Sequence, residues 1–212
     1  MIPNNLPRLS AGKQDPGSGN VCAEQAISWL VSGRLDLGDE TDHPECVQPV
    51  LNALAIAVND TVSDSERGRM WPIILRQPGT AHPEMEPVLS VRLAVYLAEQ
   101  VLDLVRPDDR QVCRDAIAAA QAWCDNPSEE TKNAAYAANA ANAANAAYAV
   151  YATNAAYATT NAAYAAANAG RDLIALLEGA QAECERLTGH TPSEPDTARL
   201  QRLAELVGTR DA

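Results

Sequence analysis

The chain contains no Phe, and aromatic residues make up only 4% of it. A core built on stacked rings is therefore excluded, and aliphatic side chains must supply it. No run of about 18 strongly apolar residues occurs, so no segment reads as a membrane span. Positive charge is also short: 16 Lys plus Arg stand against 28 Asp plus Glu, a formal net charge of -12. Such a field repels phosphate, so a nucleic-acid binder is not expected. Five cysteines at irregular spacing do not make a secreted disulfide framework. No Gly-rich phosphate loop and no Ser-centred nucleophile elbow is present. The first twenty residues lack the apolar stretch of a signal peptide. Together these absences predict a cytoplasmic protein in a reducing environment.

What is present has helical period. Residues 1–20 are rich in Pro, Gly and Asn and are expected to form a disordered arm. Ala23, Ile27, Leu30 and Val31 then fall at helical spacing, and Gly33 is a stop signal. Val50, Leu51, Leu54, Ala55 and Val58 predict a second helix to Asn59, starting near Cys46 or Pro49. Ser63, Asp64 and Glu66 look like an N-terminal cap, and Pro72 predicts a kink or restart soon after. Gln77-Pro78-Gly79-Thr80 reads as a turn. Leu89, Leu93, Tyr96, Leu97, Val101, Leu104 and Val105 define the inner stripe of a helix from Glu84 to Arg106. Pro107 ends it, and another runs from Asp108 to Cys124. The expected class is all-α, with residues 21–125 as a small helical bundle.

A low-complexity tract follows. Residues 133–169 comprise 21 Ala, 7 Asn, 5 Tyr, 3 Thr and one Val, with no charge between Lys132 and Arg171. Ala is the best helix former and the tract holds no Gly or Pro, so one long helix over 128–187 is expected. Its length would be about 90 Å. Ala149, Ala152, Ala156, Ala163, Ala166, Gly170, Leu173, Leu177 and Leu187 lie along a coiled-coil-like seam of threes and fours. Its first half is narrow and its second half Leu-lined. A 90 Å helix cannot be buried by so small a bundle, so the seam predicts a partner: a second copy, a helical protein or the chain's own bundle. Self-association is preferred over docking on the bundle. A membrane-surface role is not expected, because the tract lacks a basic face and large apolar side chains. A last helix over 192–208, with Leu200, Leu203, Leu206 and Val207, is expected to cap the Leu-rich end.

Candidate chemistry centres on Cys22, His43 and Cys46. Thiolate and imidazole are zinc ligands, but a closed site needs a fourth group and no paired Cys-x-x-Cys exists. The expectation is therefore no cofactor, with zinc as the alternative. Cys46 in a first helical turn, near His43, would also suit a nucleophile, because the helix dipole lowers a thiol pKa. Against both stands a structural reading, in which Asp42 and Glu45 form a capping box. His82 and His190 are expected to be solvated.

Cys22 with Ala26 and Trp29, then Asp42-His43-Pro44-Glu45-Cys46, Pro49-Val50, Asn59-Asp60, Arg67 and Gly79-Thr80 make a pattern. It resembles a group of uncharacterised helical proteins from actinobacteria and their phages, which also carry an Ala-rich helix with interleaved Tyr, Asn or Asp. The likeness covers about residues 22–107, and the Ala-rich tract by composition alone. Ala81 stands where the pattern has Arg. The resemblance implies a bacterial or phage origin and no activity. The expected function is thus a non-enzymatic interaction or assembly protein. The alternative is a metal-binding or Cys/His-dependent enzyme.

Overall fold

The structure, a computed structural model, describes residues 6–12, 14, 18–33, 45–141, 162–194 and 196–207. It is all-α. The strands among the described residues are Arg8–Leu9 (β1) and Asn20–Val21 (β2), a parallel pair with Arg8 opposite Asn20 and Leu9 opposite Val21. The helices are Ala23–Ser32 (α1), Pro49–Thr61 (α2), Asp64–Arg67 (α3), Trp71–Ile74 (α4), Val88–Val101 (α5), Arg110–Asp125 (α6), Glu129–Ala141 (α7), residues 162–168 (α8), Leu173–Thr188 (α9) and Thr197–Val207 (α10).

Local chemistry sets most of the boundaries. α1 begins at Cys22, whose Sγ accepts the Gln25 N–H at 3.3 Å, while Gln25 Oε1 accepts the Cys22 N–H at 3.1 Å. This reciprocal pair satisfies two of the free N–H groups at a helix start. Gly33, at φ 71°, closes the other end. α2 starts at Pro49, with Gln48 Oε1 accepting from Val50 and Leu51 N–H at 2.6 and 3.1 Å. Ser63 and Glu66 form the capping box of α3. Pro72 marks the restart at α4, after a 3-10 turn over Gly68–Met70. α5 begins at Val88 rather than Glu84, directly after Pro87. Its end passes into a 3-10 turn, Leu102–Leu104, before Pro107.

The main core gathers Leu51, Leu54, Met70, Ile74, Leu89, Leu93, Leu177, Leu200 and Leu203, with each side chain essentially out of water. A fully buried Leu or Ile contributes roughly 1.5–3 kcal/mol by removal from water. α5 is buried on two sides. Leu89, Leu93 and Leu97 face the main core, and Val91 and Val95 pack with Ala120 and Cys124 of α6. That second face was absent from the single stripe read in the sequence. α7 lies on α6, with Ala135 buried.

Four expectations are corrected. The arm over 1–20 is not wholly disordered: Leu9 is buried and Trp71 Nε1 donates to Pro7 O at 3.2 Å. Gln14 N–H donates to Gln25 Oε1, and Gln25 Nε2 returns to Gln14 O at 2.8 Å. Residues 21–125 do not close their own core, because α9 packs on α2, α4 and α5 and α10 packs on α1. Trp29 Nε1 donates to Arg199 O at 3.0 Å, so α10 seats on α1 and is not simply a cap on the Leu-rich end.

The single helix over 128–187 is also broken. Gly170 stands at φ 69°, with Gly170 N–H donating to Ala167 O and Arg171 N–H to Ala166 O, both at 2.9 Å. This is a Schellman stop. Asp172 then caps α9, its Oδ1 accepting from Ile174 and Ala175 N–H. Gly179 is interior to α9. The position a Cβ would take there lies 2.3 Å from Tyr96 Oη, so a side chain at 179 would displace that hydroxyl. Gly189, at φ 70°, ends α9.

Candidate functional site

Three places carry candidate chemistry: the Cys22–His43–Cys46 set, a buried polar corner beside α9, and the uncharged tract. Cys22 is buried at the start of α1. Burial pushes its thiol up, Glu24 adds to this, and the Gln25 N–H works against it. A raised thiol resists the thiolate form that a metal or a nucleophilic step requires. Cys46 is half-buried and lies ahead of α2, not within its first turn. Its carbonyl accepts the N–H groups of Gly79 and Ala81 at 2.9 and 3.1 Å. His43, together with Asp42, lies outside the described residues. Among the described residues, no three His, Cys, Asp or Glu side chains are grouped as a metal ion would need. Cys113 and Cys124 are both buried on α6, and burial pushes the Cys124 thiol up to about 11. Cys184 is pushed up to about 12, again chiefly by burial.

The polar corner was not legible in the sequence. Gln48, Gln77, Thr80, Ser90 and Gln181 are all buried to 1% exposure or less, although each is polar. Gln48 Nε2 donates to Glu86 Oε1 at 2.9 Å and to Ser90 Oγ at 2.8 Å, and Ser90 Oγ–H donates to the Glu86 carboxylate. Thr80 Oγ accepts the Gln48 N–H at 3.0 Å and donates to Gln77 O at 2.6 Å. On α9, Gln181 Nε2 donates to Arg76 O at 3.2 Å and to Glu185 Oε1 at 2.9 Å. Arg76 grips Glu185 through both carboxylate oxygens. Burial works to raise the Glu185 carboxyl, but Arg76 and Gln181 outweigh it and hold it below the ordinary carboxylate range.

His190 packs on Gly79: its Cε1 is 3.1 Å from where a Cβ would stand, and Gly79 has φ 86°. His190 and His82, expected to be solvated, are half-buried, with the Nε2 of each out of water. The usable sequence signal was glutamine at positions that helical spacing assigns to the core, Gln181 between Leu177 and Cys184. Chemically, the corner is a clasp between the 75–90 connection and α9. Its one hydroxyl close to a carboxylate, Ser90, is 1% exposed, so it offers no reachable nucleophile.

The seam divides. Ala149, Ala152 and Ala156 lie outside the described residues. Ala163, Ala166, Leu173 and Leu177 are buried in the chain's own core, Leu187 packs against that core, and Gly170 is exposed at the helix stop. From residue 163 onward the seam is therefore occupied by the chain itself. The open side of the tract is a different face. On α8 it presents Tyr164, 49% exposed, with Ala165 and Asn168. On α7 it presents Asn133, Ala134 and Ala137. No protein family, no curated protein and no solved structure matches this chain. No helix among the described residues is long and apolar enough to cross a membrane.

Proposed function

We propose that this chain is a non-enzymatic helical interaction or assembly protein whose uncharged Ala/Asn/Tyr tract is the association surface. A second copy or another helical protein is its partner. The observation that carries the reading is the distribution of charge. Every formal charge of a chain with net charge -12 lies outside residues 133–170. Two acidic copies repel elsewhere, and only this tract lets a neighbour approach without meeting like charge. Both described ends of the tract support the reading. Each is docked by small buried residues on one side and leaves an uncharged face open on the other. The exposed ring of Tyr164 supplies apolar area that Ala cannot. The cytoplasmic setting and the bacterial or phage origin belong to the same proposal.

Sedimentation of the full chain tests it. Wild type is expected to associate at high micromolar concentration. Tyr164→Glu with Ala165→Glu places charge on the open face and is expected to give monomer with an unchanged melting curve. A wild type that stays monomeric, and that the double variant leaves unchanged, contradicts the reading.

A further inference from the structure

We draw no further inference here: the strongest candidate, the polar corner between the 75–90 connection and α9, keeps Gln77 Oε1, Gln181 Oε1 and His190 Nε2 buried without a hydrogen-bond partner among the described residues, but nothing in the structure brings these atoms around a common ligand, and the corner belongs to the site already described.

Discussion

The α5–α9 contact and the docking of α8 bury helices in the same core by opposite means. Between α5 and α9, Leu89, Leu93, Leu97 and Leu177 pack together, and Tyr96 lays its hydroxyl over Gly179. At α8, among the described residues, Ala163 and Ala166 do the equivalent work, with Ala167 partly buried beside them. The first contact is specified by shape and by area, the second mainly by the helix propensity of Ala. High propensity forms a helix without fixing it to anything. On the association reading proposed above, the Ala-rich end is where a partner would dock.

Ways to break this comparison run from large to small. Leu177→Ala removes a fully buried side chain from the centre and should cost about 2–5 kcal/mol. A urea midpoint that barely moves would place the centre elsewhere. Arg76→Gln leaves Glu185 partly buried without its cation and should cost about 1–3 kcal/mol near neutral pH. The folded pKa of Glu185 lies below its unfolded value. The stability it contributes is therefore complete above the ordinary carboxylate pKa of about 4 and is lost as pH falls through the depressed value. Asp172, held low first by Arg69 and then by the N–H groups that start α9, follows the same direction. Urea midpoints measured from pH 7 downward should show wild type losing stability with acid and Arg76→Gln losing less, so that the two curves converge. Parallel curves would contradict the pairing.

Gly179→Ala should cost about 1 kcal/mol net, a clash with Tyr96 Oη partly offset by better helix propensity. Adding Tyr96→Phe removes the clashing oxygen and should restore that loss. A cycle without coupling would show that the close approach is not specified at Gly179. The smallest effect is expected at Cys46→Ser, within about 0.5 kcal/mol of wild type, with chelator leaving the midpoint in place. Stoichiometric zinc in the purified protein, lost in Cys46→Ser, would reinstate the metal alternative.

Helix class and most punctuation were legible because they are local. Gly33, Pro72 and Pro107 act within a few residues of themselves. Gly170 was legible as a residue but not as a stop, because the 3-4 spacing of apolar residues runs straight through it. The pattern continues from Ala166 to Leu173 because both enter one core, not because one helix joins them. The polar corner was hidden for a related reason. Gln181 and His190 meet Arg76 and Gly79 only through a long-range packing of α9 and the residues after it that no sequence window contains. The two-sided burial of α5 stayed hidden because its second face uses Val91 and Val95 between polar or small neighbours, against an α6 face of Ala and Cys.

The central claim is that one Leu-dense core runs from Leu9 to Val207 while the Ala-rich end opens separately. Native-state hydrogen exchange of the full chain across a series of low urea concentrations tests it most directly. The predicted result is that buried amides of α2, α5 and α9 share one opening with the urea dependence of global unfolding. Amides 163–168 should exchange through a smaller opening with little urea dependence. A single opening shared by α8 and α9, at one free energy and one urea dependence, would contradict the account.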